Sequence, residues 1–544
     1  MVQIMNAISE KPEWDRKVFD DTITAKWQTE IMESGRDVTP RMMDWIIKEM
    51  HWKADVLQRQ GLVTVFDIGV VRSDTAVSAA VQQALRQAVT PLENIPAAQK
   101  DYHPGSDQQV LDLVHPSLFP VVYGRTRILP DRVITRDDCL SSIGDGVPLA
   151  VPADDEASLI AGYSGRWRPW QMQGMRPYSQ RFQWLPCEVQ LGEAGGCRIT
   201  SYINNLPPTK HAALYQAVEN VIDASIPLWD ASLTRVRGWG NERIPYEKVV
   251  YRDHPDPEPT PHADEDSNSE EFWERHDEWQ RATPIELPEP STRFTPPRPG
   301  WRGPIHLRET FREQGLQVIV KLANIELTPE RPEYEGGSWH IEGQLNERIC
   351  ATAIYYYDSH NITDSQLCFR QRASADLSDI RHGQNQYGFL QAVYGFGPEV
   401  AGNGDTQITQ DLGSVRCREG RLLTFPNIVQ HRVAPFALAD PSQPGHRKIL
   451  ALFLVDPNLR IISTANVPPQ QEEWARERQA AVQDALSPRL PGELQTLVSQ
   501  DIPEASMTLA AAQAYRLELM EERRAKQDAQ NATFETGDFG LCEH

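Results

Sequence analysis

The chain is poor in cysteine, in basic residues and in long apolar runs, and each shortage excludes something. Seven cysteines among 544 residues, with no CxxC pair, do not make a disulfide framework. The longest unbroken apolar run, Ile449 to Val455, has seven residues, whereas a bilayer-spanning helix needs about 20. The opening MVQIMNAISEKPEWDRK has no basic region followed by an apolar stretch, so no secretory leader is expected and a cytoplasmic location is. Lysine and arginine total 54 against 76 acids, a formal charge of −22. Such a surface repels phosphate, so neither nucleic acid nor an anionic membrane is an expected partner. GxSxG, GxxxxGK[ST] and GxGxxG are also missing, which removes the usual hydrolase elbow, phosphate loop and dinucleotide turn.

What remains can bury a core: 40% of residues are apolar and 24% charged, a globular composition. Residues 1–105 read as helical. Arg41 to Gln60 carries Met42, Trp45, Ile46 and Met50 near helical spacing and stops at Gly61, and Asp74 to Val89 predicts a second helix with Asp74 as its cap. Residues 106–250 mix strand-length runs such as LDLVHPSLFPVVYGRTRIL and RFQWLPCEVQL with a helix from Lys210 to Ile226. Residues 251–300 hold ten prolines, thirteen acids and five arginines, the composition of an acidic linker or surface insertion. Residues 301–470 return to β texture with LQVIVKLANIEL, ICATAIYYYD, GRLLTFPN and RKILALFLVD. Strands without intervening helices predict an antiparallel sandwich or barrel. Residues 471–544 read as helices, with Tyr515, Leu519 and Met520 able to form one face. The segment from Ser359 to Asp411, with Arg370, Arg372 and Arg381, reads as a long loop.

The histidines carry the chemistry. A two-histidine, one-carboxylate metal site wants His-x-Asp/Glu, because strand period two points both side chains one way. Four such pairs occur: His254/Asp256, His262/Asp264, His276/Glu278 and His340/Glu342. The first three lie in the acidic segment, without a rigid frame. His340 and Glu342 follow the turn-forming Gly336-Gly337 inside the β-rich region. A second histidine is available at His431, expected to begin a strand that turns back through Pro426-Asn427 onto its predecessor. Sixteen residues later Arg447 opens an apolar strand. A charge there needs a partner, and a guanidinium suits a carboxylate. Lys448, on the opposite face, is the alternate.

The order His340-x-Glu342, His431, Arg447 on an antiparallel core resembles the iron(II)- and 2-oxoglutarate-dependent oxygenases. GRLLTFPN, QHRV and GHRKILALF look like the C-terminal half of a prolyl-hydroxylase-type member. Together with SYINNLPP, WHIEGQLNERI, PGHRKILALFLVDPN and the closing LCEH, they also resemble a fungal family of long proteins catalogued as a domain of unknown function. The resemblance implies an α+β chain whose core is a double-stranded β-helix of jelly-roll or cupin-like kind, elaborated by N- and C-terminal helices. It implies Fe(II) on His340, Glu342 and His431, with 2-oxoglutarate as co-substrate held by Arg447 (or Lys448). The implied reaction oxidises a small-molecule substrate with O2, giving succinate and CO2. Two alternatives are a cupin-type metal enzyme that does not use 2-oxoglutarate and a non-catalytic binding protein on the same fold.

Overall fold

The computed structural model describes residues 1–153, 178–193, 195–234, 242–262, 269–300, 302–373, 380–383, 386–397, 406–486, 491–494 and 506–537. Asp264, of one His-x-acid pair, and the closing LCEH lie outside these residues. The chain is a mixed α+β protein built on antiparallel sheets.

The N-terminal region is helical where the periodicity places it but not throughout, since Val63–Phe66 and Val70–Ser73 are strands. Helix α1 (Pro40–Gln60) starts at Thr39, whose hydroxyl accepts from the Met42 N–H, and ends at Gly61 with φ +70°, a left-handed closure that glycine permits. Helix α2 (Ala79–Glu93) begins later than its expected start. Ser78, not Asp74, caps it, because Asp74 is engaged by the buried Arg421 at 2.6 Å.

Nine strands form the large sheet: β1 (Val63–Phe66), β2 (Val70–Ser73), β3 (Val110–Val114), β4 (Cys187–Leu191), β5 (Cys197–Ile199), β6 (Leu316–Leu327), β7 (Ile349–His360), β10 (Leu422–Pro426) and β12 (Gly445–Val455). Three more, β8 (Gln366–Arg372), β9 (Thr409–Arg416) and β11 (Gln430–Val433), form a small sheet in the order β9-β8-β11. The large sheet runs β1-β2-β10-β7-β12-β6-β4-β5, with β3 also paired to β6.

The long central strands are apolar on both faces because both are covered. One face packs on helix α3 (Ala212–Leu233) through Leu322, Leu450, Leu452, Leu454, Tyr355 and Trp229. The other packs on the small sheet through Ile319, Ile354, Phe425, Phe453, Leu367, Phe369 and Val415. Neither sheet closes on itself.

Three expectations are corrected. The segment after Ser359 is not simply a loop, since Gln366–Arg372 and Thr409–Arg416 pair as strands of the small sheet. The strand ending at Pro426 and the one holding His431 do not form a hairpin. The first pairs with β7 and the second with β8, so Pro426-Asn427 carries the chain from one sheet to the other. The acidic segment is not all linker. Ser269 caps a helix, Glu270–Ala282, Phe294 packs edge-on to Trp45 at 5.2 Å, and Glu289 accepts from Thr39 at 2.7 Å. Phe294 and Glu289 thus find partners on helix α1 and its cap, while Trp279 packs on His254 within the segment at 4.7 Å.

The C-terminal helix α4 (Leu509–Glu535), capped by Thr508, buries Leu519 and Ala512 against the cluster shared by the two sheets. No helix among the described residues is long and apolar enough to cross a membrane.

Candidate metal centre

The small sheet and the turn that follows Gly336 bring the predicted ligands together. His340 is joined to His431 by a two-way backbone bridge, with N···O distances of 3.2 and 3.0 Å. Their rings lie 4.4 Å apart. Glu342 is not held by a strand. Its N–H donates to the Asn427 side chain at 2.8 Å, and the Asn427 amide donates back to the Glu342 carbonyl at 2.9 Å. The turn residue beside Pro426 is therefore what aims the carboxylate.

Glu342 Oε1 lies 3.3 Å from His431 Nε2 and 3.7 Å from His340 Nε2, and one ligand atom from each residue falls within 4.8 Å of the others. Two ligands about 2.1 Å from a shared metal, at right angles, sit about 3 Å apart. The spacing thus fits a metal with a small inward movement.

The tautomer also fits. His340 Nδ1 donates to the Ser338 carbonyl at 2.8 Å, which leaves Nε2 with its lone pair toward Glu342, the arrangement an outer hydrogen bond imposes on a metal-ligating histidine. His431 is 3% exposed and packed against Phe425 at 4.6 Å. Burial and the neighbouring His340 push its imidazole down, against the pull of Glu342. Burial also lowers His340, but the hydrogen bond and charge of Glu342 outweigh it and the ring is raised. Burial raises Glu342, yet its two histidine hydrogen bonds hold it well below the usual carboxylate range. Without metal, Glu342 favours a proton shared with His340, and a divalent cation would replace that proton.

Helix α4 braces both halves of this site. Gln527 donates to the Ser338 hydroxyl at 2.9 Å and to the Trp339 carbonyl at 3.0 Å. Asn531 donates to that same carbonyl at 3.2 Å and accepts from Gln430 at 2.7 Å. The neighbours of both histidines are thereby tied to one helix, which periodicity alone did not reveal.

Arg447 lies on β12, 2% exposed. Its Nη1 donates to the Ser365 hydroxyl at 2.6 Å, and its guanidinium lies 5.2 Å from the Phe436 ring and 5.6 Å from the Tyr356 ring. Nε has no partner, and among the described residues no carboxylate forms a salt bridge with it. Lys448 differs, facing the other way and ion-paired with Glu93 at 3.0 Å and Asp358 at 3.4 Å.

A second group was missed by the sequence reading: His103, Asp112 and His115 also bring ligand atoms within 4.8 Å of one another. The spacing Asp112-x-x-His115 lacks the period-two pattern, and only strand pairing brings His103 in. Its hydrogen bonds argue against a metal. His115 Nδ1 accepts from the Ser117 N–H at 3.1 Å, which puts the proton of a neutral ring on Nε2. His103 Nδ1 donates to Asp112 Oδ2 at 2.8 Å. Burial pushes the His115 ring far down, with the charges of Lys321, His103 and Arg516 adding to it against the pull of Asp112.

The fold and the first cluster define a mixed α+β protein with a two-histidine, one-carboxylate site. Residues 40–478 match the family described as "Protein of unknown function (DUF4246)", and residues 1–30 match "Domain of unknown function DUF4246, N-terminal". The chain belongs to that family. No curated protein matches it. Among solved structures, a bsmA homolog from Methylobium petroleophilum PM1 is 14% identical over 28% of this chain and 46% of that one, with a TM-score of 0.15. The match thus spans less than half of that protein.

Proposed function

We propose that the protein is an iron(II)- and 2-oxoglutarate-dependent oxygenase acting on a small molecule, with His340, Glu342 and His431 as iron ligands and Arg447 as the anchor for the far carboxylate of 2-oxoglutarate. The observation that carries the reading is Arg447: a buried guanidinium without a carboxylate partner among the described residues, on the sheet face that looks toward the His431 cluster. A buried cation costs several kcal/mol unless an anion meets it, and a dicarboxylate co-substrate supplies one.

The strand order supports the same reading. In chain order the strands go to the large sheet (β6), the small one (His340), large (β7), small (β8 and β9), large (β10), small (β11) and large (β12). Such alternation between two facing antiparallel sheets is the pattern of a jelly roll, here read as a double-stranded β-helix core. Reach is also adequate. Ser365, bonded to Arg447, lies four residues before Phe369, the partner of His431, about 13 Å along a strand. A metal–ligand bond, a five-carbon diacid and a hydrogen bond span about that distance.

Bound iron would supply the oxidising chemistry, with 2-oxoglutarate and O2 consumed and succinate and CO2 released. The chain's own part is to hold the diacid at Arg447, to keep Glu342 ionised between two imidazoles, and to exclude water with Phe369, Phe425 and Tyr356. Iron-loaded protein should release succinate from 2-oxoglutarate and bind it in a titration. Failure of both refutes the reading and leaves a cupin-type metal enzyme or a binding protein.

A further inference from the structure

The face of the large sheet that looks toward the small one carries a second set of polar groups, which the proposed chemistry does not use. Lys321 on β6 pairs across from Ala451 of β12. Two residues along, Phe453 pairs with Thr352, and Thr352 with Phe425, whose ring packs on His431 at 4.6 Å. Lys321 therefore projects one row from the candidate metal centre, closer along the strand than Arg447. Asp112 on β3 pairs across from Ala323, so it shares the face of Lys321 and sits diagonal to it. His115 follows on the same face, edge-on to Trp184 at 6.4 Å.

These three groups are incompletely used. Asp112 is 5% exposed and its Oδ1 has no hydrogen-bond partner, while Oδ2 is taken by His103. His115 is 5% exposed, with Nδ1 occupied by Ser117, so Nε2–H is its remaining donor, and no described group bonds to it. Lys321 forms no salt bridge among the described residues, although Asp112 is its nearest acid by strand register. The other charges packed around are already paired: Arg516 with Asp101 at 2.6 and 2.9 Å, and Arg523 with Glu347, lying 3.7 Å over the Trp184 ring. A buried acceptor and a nearby ammonium, held apart rather than joined, leave two unmet demands of opposite sign.

We propose that Asp112, Lys321 and His115 form a subsite for a zwitterionic α-amino acid, with Asp112 Oδ1 receiving the ammonium and Lys321 and His115 Nε2–H receiving the carboxylate. A simple anion would meet the Asp112 carboxylate, and a simple cation or metal would meet Lys321. A molecule carrying both charges a few bonds apart satisfies each group. Burial raises the Asp112 carboxyl, but His115, the hydrogen bond with His103 and the charge of Lys321 outweigh it and hold it below its usual range, which keeps its charge in place. That the amino acid is the substrate rests on the oxygenase reading of the neighbouring centre; that it binds does not.

The test is ligand-observed NMR and calorimetry on the full chain with the twenty protein amino acids, each compared with its N-acetyl derivative and its decarboxylated amine. Both are run with and without iron(II) and 2-oxoglutarate under argon. At least one amino acid is expected to bind, with the N-acetyl derivative weaker by roughly tenfold to a hundredfold, the loss of one charge-assisted hydrogen bond, and the decarboxylated amine weaker by at least as much, since it loses both Lys321 and His115. Asp112→Asn and Lys321→Met should each weaken it similarly, with circular dichroism and melting unchanged in at least one of the two. Arg447→Ala should leave amino-acid binding intact. Binding that survives in Arg447→Ala while 2-oxoglutarate binds nowhere would keep the subsite and sink the oxygenase. No amino acid bound in either state, or analogues bound as well as the parent, would overturn the subsite.

Discussion

Replacing Arg447 by Met separates a guanidinium kept for a ligand from one kept for the fold. The side chain is 2% exposed, has one hydroxyl partner in Ser365, and stacks near Phe436 and Tyr356. Removing it forfeits one hydrogen bond of about 1 kcal/mol but also removes a buried cation with no acid partner among the described residues, whose desolvation costs several kcal/mol. Arg447→Met should thus be as stable as the parent or up to about 3 kcal/mol more so in denaturant unfolding. The same variant should bind 2-oxoglutarate roughly a hundred- to ten-thousandfold more weakly, because two charge-assisted hydrogen bonds are worth about 1.5–3 kcal/mol each. Iron affinity should not move. The assay is a pair of titrations on one preparation, urea for stability and calorimetry for 2-oxoglutarate. A loss of more than about 2 kcal/mol of stability with unchanged 2-oxoglutarate binding would refute the reasoning and make Arg447 an ordinary structural residue.

Other outcomes follow from the same contacts. Lys448→Met should leave 2-oxoglutarate binding unchanged and cost about 1 kcal/mol, since its charge is spent on Glu93 and Asp358; weaker 2-oxoglutarate binding would exchange its role with that of Arg447. Arg421→Met should cost about 1–3 kcal/mol in urea unfolding, because Asp74, now held at 2.6 Å, loses its hydrogen-bonded partner, while Glu10, held at 2.7 Å, keeps Arg72 and Arg418. Gln527→Ala should lower iron affinity by roughly tenfold without a comparable loss of melting temperature, as removal of an outer support does; unchanged affinity would reduce α4 to packing. The pH dependence has a defined sign. His340 is raised in the metal-free fold, so its contribution to stability is complete below the ordinary histidine pKa and lost as pH climbs through the raised value. Metal affinity should run the other way, rising over that window with release of a proton that calorimetry in two buffers would count; a flat profile would contradict the shared proton.

Much of this was legible in the sequence, in uneven measure. Although its Thr39 cap went unread, helix α1 follows its periodicity and stops at Gly61, because both are local signals. The strands did too, since apolar runs bounded by Pro, Gly and Asn need no partner to be recognised. Partnership was the weak point. Pro426-Asn427 reads as a hairpin turn, yet it passes the chain between sheets, because the choice is made by which neighbour covers the Phe425 and His431 faces. Asp74 reads as a cap and is instead bonded by Arg421, hundreds of residues away. His340, Glu342 and His431 were found by spacing and order, and the structure brings their ligand atoms together. Lys321, Asp112 and His115 could not be found that way, since strand register across β3 and β6 makes the group. The bracing by Gln527 and Asn531 was equally hidden, because polar residues on a helix carry no signal of what they will meet.

The central claim is that His340, Glu342 and His431 hold the metal, and metal analysis after anaerobic loading with iron(II) tests it most directly on the parent, His431→Ala and His115→Ala. About one iron per chain is expected in the parent and in His115→Ala, and less than about a tenth of that in His431→Ala, which lacks one of three protein ligands. Iron retained in His431→Ala, or lost in His115→Ala, would contradict the assignment.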